Sequence, residues 1–406
     1  MPVGLKPPAA LSVVKGVRLA TAAAGIKYSE REDMLLITLP EGSAVAGVFT
    51  QNKFCAAPVK LARQNLQAGS ARALLINSGN ANAGTGSQGM DNALSSCAQV
   101  AEQLSLRPEQ VLPFSTGVIG EQLPMPAISA GINQLINNGI EDNWLAAATA
   151  IMTTDTVAKG VSETLDIDGH IITITGIAKG SGMICPNMAT LLSYVATDAS
   201  VDKVTLQALL DRATEASFNR ITVDSDTSTN DALMLLATGE AGNSEINSLA
   251  DPRAEQLYSA IESVLISLAT AVIRDAEGAS KFVKIEIVNS LSVADAKSIA
   301  YSVAHSPLVK TALFASDPNW GRLLMAVGKA DVETLDISAM NLSINGVALI
   351  ERGEPASTYT EAAGKKVFEQ SEIEIRIDLN AGDQRFHVWT SDLSHDYVSI
   401  NADYRS

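Results

Sequence analysis

The sequence predicts a mixed α/β (α+β) fold, with a smaller α+β domain that begins near residue 283. Strand-like and helix-like segments alternate through the first half of the chain, and one long amphipathic helical segment follows them. Alternating strand patterns surround a short helix in the last third. With 406 residues, of which 46% are hydrophobic, the chain can bury a large core. We therefore expect one domain over 1–282 and a second over 283–406.

The first half contains four strand patterns and one clear helix. Residues 34–39 and 73–77 are short apolar runs, typical of strands that are buried on both faces. Residues 90–104 have the pattern of a helix. Residues 171–178 and 191–197 are predicted to be neighbouring strands, so the segment between them connects two strand ends.

A long helix is predicted over residues 253–274, because the apolar residues there keep a 3.6-residue period. Gly278 is the expected C-terminal cap. Asp275 and Glu277 then lie at the negative end of the helix dipole, which is unfavourable by about 0.3–1 kcal/mol each. The residues alone favour a solvated acid near Lys281, and a carboxylate that is required for function is the alternative.

The last third is predicted to contain a strand over 282–288 and a helix over 317–330. Asp317 is the expected N-cap of this helix, and the proline after it suits the first helical position. Residues 373–379 and 386–390 are expected to pair as a hairpin around the turn sequence NAGDQR.

Charge and cysteine content exclude several classes of protein. A formal net charge of −16 without a basic run argues against nucleic-acid binding. No uninterrupted apolar run has the length of a membrane span, and the N-terminus lacks a signal-peptide pattern, so we expect a cytoplasmic protein. Three widely spaced cysteines fit a reducing compartment, and the four histidines lack metal-binding spacing. We therefore expect no disulfide framework, no metal and no cofactor.

Two polar loops resemble ligand-binding motifs without meeting all their requirements. The sequence GTGSQG at 84–89 matches GxGxxG, but it does not directly follow a strand and lacks an acidic residue about 20 positions later. The sequence DSDTSTND at 224–231 fails the calcium-loop pattern at its glycine and at its terminal glutamate. It is either a polar turn or a loop that lines a site, and the residues leave both open.

The segment 179–199, KGSGMICPNMATLLSYVATDA, carries three candidate nucleophiles. Cys185 has no helix N-terminus to lower the pKa of its thiol, so it is expected to be a small buried residue. Ser181 lies between two glycines, where a turn hydroxyl is the usual interpretation. If the Ala189–Thr190 bond were cut, Thr190 would carry a free α-amine of pKa about 7.7–8.0 beside its hydroxyl. The amine can act as a base near neutral pH, so this threonine would be an activated nucleophile. A threonine that simply begins a strand is the alternative.

This segment resembles the cleavage-site signature of the glutamate N-acetyltransferase family, whose members are also called ornithine acetyltransferases or the arginine biosynthesis bifunctional protein. Other blocks of the family occur in the same order over nearly the whole chain. They are GVFTQNKFCAAPV at 47–59, INSGNANAGTG at 76–86, STGVIGEQLP at 115–124, IMTTDT at 151–156, FNRITVDSDTSTND at 218–231, RDAEGASKF at 274–282, ASDPNWGR at 315–322 and INADYRS at 400–406.

The resemblance implies an N-acyltransferase that cleaves itself between Ala189 and Thr190 into an α chain, 1–189, and a β chain, 190–406. Thr190 would be the nucleophile of a ping-pong reaction that moves the acetyl group from N-acetylornithine to glutamate through an acetyl-threonine ester, in cyclic arginine biosynthesis. Whether acetyl-CoA is a second acetyl donor is left open. A threonine-nucleophile amidohydrolase or aminopeptidase of similar architecture is the alternative function.

The resemblance also implies roles for individual residues. The Thr116 hydroxyl and the Gly117 backbone N–H would stabilise the oxyanion, although the residues alone favour a simple turn there. Substrate-binding positions would be Thr154, Lys179, Thr190, Glu277, Asn401 and Ser406. Lys179 can pair with a carboxylate and Glu277 with an ammonium group. Many family members end in threonine where this chain has Ser406, and the hydroxyl is retained.

The fold and assembly implied by the resemblance are more specific than the α/β class. The expected fold is an αββα sandwich that resembles N-terminal-nucleophile enzymes, with an additional C-terminal domain. The expected assembly is an α2β2 heterotetramer of α and β chains that come from one precursor.

Overall fold

The structure, a computed structural model, describes residues 2–27, 30–137, 142–185 and 191–402. These residues divide into two compact units. The N-terminal unit comprises Lys6–Asn219 and Asp226–Val272, and the C-terminal unit comprises Met1–Leu5, Arg220–Ser225 and Ile273–Ser406. The division at 272/273 lies about ten residues before the predicted boundary at 282/283. That boundary, as one between independently folding domains, stays a prediction.

The N-terminal unit contains two β-sheets. Its strands are β1 (Arg18–Ala22), β2 (Met34–Thr38), β3 (Ala44–Phe49), β4 (Ala73–Asn80), β5 (Val111–Val118), β6 (Lys159–Ile167), β7 (His170–Lys179), β8 (Leu192–Thr197) and β9 (Ala232–Ala237). The first sheet has the order β1-β2-β4-β5 and the second has the order β3-β9-β8-β7-β6. In each sheet one pair is parallel, β4 with β5 and β8 with β9.

The strands predicted at 34–39, 73–77, 171–178 and 191–197 are all confirmed. Every residue of β4 and β8 is buried, as expected for strands covered on both faces. β7 and β8 are antiparallel neighbours, and Lys179 at the end of β7 pairs with Leu192 at the start of β8.

The helices of this unit are α1 (Ala57–Ala68), α2 (Gly86–Leu104), α3 (Met125–Asn137), α4 (Trp144–Ala150), α5 (Lys203–Ala216) and α6 (Pro252–Arg274), the last two residues of α6 falling in the C-terminal unit. The helices predicted at 90–104 and 253–274 are therefore confirmed as α2 and α6. Local capping explains where α5 begins, because the Asp202 carboxylate accepts hydrogen bonds from the backbone N–H groups of Val204 and Thr205.

Helices and sheets form four layers. The two sheets face each other across one apolar core, in which the rings of Phe114 on β5 and Tyr194 on β8 meet edge to face with centroids 5.4 Å apart. The other face of the first sheet packs against α2 and α3. On the outer face of the second sheet, α6 approaches β7 so closely that a Cβ at Gly176 would lie 2.9 Å from Leu268. This confirms the αββα sandwich.

Helix α6 is long and apolar enough, by length and composition, to cross a membrane. In the structure its apolar stripe is part of the protein core, since Leu257, Ile261, Val264 and Leu265 are fully buried. The length and hydropathy of α6 are therefore explained by its position in the outer layer of the sandwich.

The C-terminal unit is built on one six-stranded sheet of order β13-β12-β11-β14-β10-β15. Its elements are β10 (Phe282–Ser290), α7 (Val293–Ala304), α8 (Pro307–Phe314), α9 (Trp320–Gly328), β11 (Asn341–Ile344), β12 (Val347–Glu351), β13 (Glu354–Pro355), α10 (Glu361–Phe368), β14 (Glu372–Asp378), β15 (Gln384–Ser391) and α11 (His395–Ala402). An apolar core between the sheet and its helices includes Ile285, Ile299 and Ile375.

The predicted hairpin between 373–379 and 386–390 is wrong. β14 pairs with β10 in parallel, and β15 pairs with the other side of β10, so β10 lies between the two strands. The connecting loop crosses the end of β10, where the N–H groups of Ala381 and Gly382 both donate to the carbonyl of Asn289. A short turn sequence does not reveal that a third, distant strand lies between its two flanking strands.

The start of the helix predicted at 317–330 is also wrong. α9 begins at Trp320, with Asn319 rather than Asp317 as the N-cap, and no side chain caps it. Asn319 and Trp320 donate to carbonyls only two residues earlier, and Ser316 has a positive φ of 51°. These turns keep the chain non-helical through the proline.

Two half-buried histidines should make the C-terminal unit less stable in acid. Burial lowers the pKa of His305 to about 4, with the charges of Lys310 and Lys329 adding to the effect. Burial and the neighbouring Arg220 likewise lower the pKa of His387 to about 4. Between about pH 6.5 and 4 the unfolded chain then binds protons that the folded chain does not. Lowering the pH through this window should therefore reduce the free energy of unfolding. The reduction is at most about 1.4 kcal/mol per pH unit for each histidine.

We expect the urea midpoint to drop between pH 7 and pH 5, and to drop less in His305→Gln and His387→Gln. His170→Gln, at an exposed position, controls for loss of an imidazole. If the wild type and both variants lose the same stability over this interval, the assignment is wrong.

Candidate active site

The described residues include six of the predicted site residues. Thr116, Gly117, Thr154 and Lys179 belong to the N-terminal unit, and Glu277 and Asn401 belong to the C-terminal unit. The predicted cleavage and nucleophile positions Ala189 and Thr190, and the binding position Ser406, lie outside the described residues.

Thr116 and Gly117 lie near the end of β5, beside β4. The side chain of Thr116 is almost buried, and its Oγ1 is 3.3 Å from the Nζ of Lys179, itself buried at the end of β7. An ammonium group can only donate, so the threonine oxygen is the acceptor in this contact. The hydroxyl hydrogen of Thr116 is thereby directed away from Lys179 and can donate to another group.

Only glycine fits at position 117. The residue has a φ of +133°, a conformation that side chains disfavour. A Cβ at this position would lie 2.2 Å from the carbonyl carbon of Gly79 and 2.5 Å from the nitrogen of Asn80. The backbones of β4 and β5 therefore meet more closely here than any side chain would allow. The irregular pairing of the strands at Gly79 and Asn80 accompanies this approach.

A buried amide network holds this part of β4 and β5. The Asn77 side chain donates to the Asn80 carbonyl at 2.9 Å and accepts from the Ser115 hydroxyl at 2.6 Å. The side-chain amide of Asn230 donates to the carbonyls of Ala81, at 2.6 Å, and Ser115, at 2.9 Å. Paired buried amides of this kind specify one backbone geometry next to Thr116 and Gly117.

The loop that carries Thr154 is joined to the end of β7 by a buried carboxylate. Asp155 accepts from the backbone N–H of Gly180 at 2.7 Å and from that of Thr153 at 3.0 Å. Its other partner is the Nζ of Lys159, at 2.6 Å, and both side chains of this ion pair are fully buried. One carboxylate thus links the neighbour of Thr154 to the residue after Lys179.

The charge of Asp155 is maintained by the lysines around it. Burial alone would raise the pKa of this carboxyl, but the positive charges of Lys159 and Lys179, with hydrogen bonds from Lys159 and Gly180, hold it well below its usual range. Thr154 itself shares a 2.7 Å hydrogen bond with the hydroxyl of Ser181. Ser181 is therefore more than a turn hydroxyl, because it contacts a predicted substrate-binding residue.

In the C-terminal unit the structure brings Glu277 and Asn401 together. The Asn401 side-chain amide donates to Oε2 of Glu277 at 2.7 Å. Among the described residues, Oε1 of Glu277 has no hydrogen-bond donor and can receive one from a ligand. Glu277 and Asp275 are both buried, so the solvated surface acid favoured by the residues alone is wrong.

Other sequence features have structural explanations. Cys185 is partly exposed rather than buried. In the GTGSQG loop, a Cβ at Gly89 would lie 1.9 Å from Oγ1 of Thr85, so this glycine permits close packing at the start of α2. Within the described residues, no group of three or more His, Cys, Asp or Glu side chains could hold a metal ion.

The sequence did not predict that Asp155, Lys159 and Asn230 support the candidate site. The one available signal for the first two was their i, i+4 spacing, which on a helix would indicate an exposed pair. Lys159 instead begins strand β6, and the pair is buried.

Known proteins match the chain in sequence over its full length, and two solved structures match about half of it. A family model described as the ArgJ family matches residues 18–406. The arginine biosynthesis bifunctional protein ArgJ of Pseudomonas fluorescens (strain Pf0-1) is 51% identical over 406 residues, which are 100% of both chains. Among solved structures, ArgJ from Bacillus halodurans is 33% identical, with a TM-score of 0.48 over 50% of this chain and 95% of that chain. An ornithine acetyltransferase from Mycobacterium tuberculosis, complexed with ornithine, is 35% identical, with a TM-score of 0.39 over 45% and 98%.

Gly117→Ala should destabilise the protein by about 2–4 kcal/mol, because it combines an unfavourable φ with a clash against the backbone of β4. Urea unfolding measures the loss. Gly328→Ala is the control, since this glycine ends α9 in open space, and the change should be neutral or stabilise by up to about 1 kcal/mol. A Gly117→Ala protein within 0.5 kcal/mol of the wild type, a difference typical of surface changes, would contradict the close approach.

Proposed function

Because the chain belongs to the ArgJ family of arginine-biosynthesis acetyltransferases, we propose that Thr190 carries the acetyl group between N-acetylornithine and glutamate. The observation that supports this most directly is the position of Lys179. Lys179 pairs with Leu192, two residues after Thr190 in sequence, and also donates to Thr116. One residue thus connects the strand that follows the proposed nucleophile with the proposed oxyanion donor.

The first half-reaction acetylates the enzyme. After cleavage of the Ala189–Thr190 bond, the free α-amine of Thr190 takes the proton from its own hydroxyl as the oxygen attacks the acetyl carbonyl of N-acetylornithine. The tetrahedral intermediate collapses when the carbon–nitrogen bond breaks and the proton passes to the leaving nitrogen. Ornithine departs, and an acetyl-threonine ester remains.

The second half-reaction transfers the acetyl group to glutamate. The glutamate amine attacks the ester carbonyl, and Thr190 leaves as its hydroxyl after receiving a proton through the α-amine. N-acetylglutamate is released and the enzyme is regenerated. Both halves use one site and one covalent intermediate, which is the basis of ping-pong kinetics.

Thr116 and Gly117 stabilise the oxyanion in both tetrahedral intermediates. Since Lys179 donates to the oxygen of Thr116, the threonine hydrogen is available for the oxyanion, and the positive charge makes that hydroxyl a better donor. The N–H of Gly117 is the second donor. In comparable acyl-transfer sites one such donor contributes about 2.7–4 kcal/mol.

The remaining site residues recognise the amino-acid parts of the substrates. Lys179 pairs with a carboxylate, and Glu277 pairs through Oε1 with an ammonium group while Asn401 holds its Oε2. Thr154 and Ser406 contribute hydroxyl groups. No cofactor takes part in these steps.

The mature protein is an α2β2 heterotetramer of α chain 1–189 and β chain 190–406, and it acts in the cytoplasm.

Acetyl-CoA serves as a second acetyl donor. The word bifunctional in the name of the 51% identical relative supports the second donor. Because both half-reactions meet in the same acetyl ester, either donor would acetylate the same threonine.

Isotope exchange tests the transferase mechanism. In the absence of glutamate, labelled ornithine should appear in N-acetylornithine, because the acetyl ester forms reversibly. Adding glutamate should give equal amounts of ornithine and N-acetylglutamate, and replacing N-acetylornithine by acetyl-CoA should still give N-acetylglutamate. Acetate release that is independent of glutamate, without exchange, would instead identify the alternative, an amidohydrolase.

Thr190→Ala should remain a single chain of 42.5 kDa on denaturing electrophoresis, whereas the wild type should give two bands of roughly half that size. The variant lacks the hydroxyl that attacks the preceding carbonyl. Cys185→Ser is the control, and it should be cut as efficiently as the wild type. An uncut wild-type protein that still turns over substrate would contradict activation by cleavage.

Lys179→Met should lower kcat by roughly 10- to 100-fold as well as raise KM, because it removes the group that orients the Thr116 hydroxyl. In a Thr116→Val background the same change should lower kcat no further, since the donor is already absent. Lys60→Met, at an exposed lysine, is the control. An increase in KM with unchanged kcat would limit Lys179 to binding the substrate carboxylate.

A further inference from the structure

We propose that Tyr397, held by Asp224, is the positioning residue that keeps Asn401 on Glu277 and thereby sets recognition of the substrate ammonium group. This inference rests on the proposed function, which gives Glu277 and Asn401 their binding role. It assigns a role to two residues that are not among the predicted site residues, and to the start of the 224–231 loop that the sequence left unexplained.

Helix α11 presents Asn401 but has almost no apolar anchorage. None of its residues is buried, and Val398 is 64% exposed. The position of a helix normally depends on the burial of its apolar face. Burial of apolar side chains contributes little to the position of α11, so polar contacts along the helix determine where Asn401 lies.

The first contact fixes the start of α11 against the turn that carries Glu277. Gly278, which has a φ of +68°, lies against the start of α11. A Cβ at this position would be 2.5 Å from Oγ of Ser394 and 2.7 Å from the backbone nitrogen of Tyr397. Two residues before Ser394, the buried carboxylate of Asp392 accepts from the N–H groups of Ser280 at 2.9 Å and Lys281 at 3.0 Å.

The second contact fixes the middle of the helix. The Tyr397 hydroxyl donates to Oδ2 of Asp224 at 3.0 Å. The backbone near Asp224 is itself anchored, because Ile221 forms a β-bridge with Trp389 and Thr222 N–H donates to the Trp389 carbonyl at 3.0 Å. The segment that leads to Asp224 is therefore held by β15 rather than by α11.

The third contact joins the end of α11 to Glu277, the proposed binding residue for the substrate ammonium group. The Asn401 side-chain amide donates to the Tyr397 carbonyl at 3.0 Å and to Oε2 of Glu277 at 2.7 Å. The carbonyl of Tyr397 thus orients the amide of Asn401, while its hydroxyl anchors that turn of the helix to Asp224. Loss of the anchor would let Asn401 leave Glu277, and the carboxylate would lose the partner that directs Oε1 to the ammonium group.

Steady-state kinetics of Tyr397→Phe test the proposal, because only the hydroxyl is removed. We expect KM for N-acetylornithine to rise about tenfold, as for loss of a hydrogen bond to a charged group, with kcat within twofold of the wild type. Asp224→Ala should reproduce this split. Asp224→Asn should restore KM to within about threefold of the wild type, because it keeps an oxygen that accepts from Tyr397. Val398→Ala, on the exposed side of α11, is the matched control and should change neither constant.

A double-mutant cycle separates positioning from general stability. In an Asn401→Ala background, Tyr397→Phe should change KM by less than twofold, since it acts only through Asn401. An unchanged KM in Tyr397→Phe, a tenfold further increase in the Asn401→Ala background, or an equal fall in kcat would each overturn the proposal. If Tyr397→Phe does not fold, the comparison of Asp224→Ala with Asp224→Asn decides in the same way.

The two possible failures are distinguishable. If the proposed function is wrong, the wild type will show no exchange of labelled ornithine. If only the positioning role is wrong, the wild type will exchange ornithine and Tyr397→Phe will have the same KM.

Discussion

The buried ion pair between Asp155 and Lys159 is the interaction on which the candidate site of the N-terminal unit depends. Both side chains are fully buried, and their charged atoms are 2.6 Å apart. The carboxylate also accepts from Gly180 and Thr153, so it joins the beginning of β6, the end of β7 and the loop that carries Thr154. Losing one member of such a pair typically costs 3–5 kcal/mol, because the other charge stays buried without a partner. The same buried carboxylate thus holds the segments that carry Lys179 and Thr154.

The candidate site of the N-terminal unit lies where the apolar core of the sandwich gives way to buried polar groups. Between the sheets the core is apolar, with Phe114 and Tyr194 in contact. Directly after Phe114 on β5, the Ser115 hydroxyl donates to the side chain of Asn77, and the Ser115 carbonyl accepts from the side-chain amide of Asn230. Polar networks of this kind specify geometry when every member is satisfied. Together with Gly117, these networks fix the backbone that carries the two proposed oxyanion donors, the Thr116 hydroxyl and the Gly117 N–H.

The C-terminal unit holds its candidate residues in a different way. Glu277 follows a core helix and is buried, whereas Asn401 lies on a helix with no buried residue. Polar contacts at Asp224 and Glu277 replace hydrophobic burial along α11, and Asp392 holds the segment before the helix. An element held in this way responds to the loss of single hydrogen bonds, and this is why substitutions there should affect substrate binding more than folding.

The sequence by itself determined the elements with strong local periodicity and the family. The strands at 34–39 and 73–77 and the helix at 253–274 follow from side-chain patterns within one segment, and the ordered family blocks implied Thr116, Lys179, Glu277 and Asn401 as site residues. Only the tertiary structure decided that β10 separates β14 from β15, that Glu277 is buried and that Asp155 pairs with Lys159 inside the protein. The physical reason is the range of the interactions: periodicity and capping act over a few residues, whereas strand order, burial and the partners of a buried charge depend on segments that are distant in the chain.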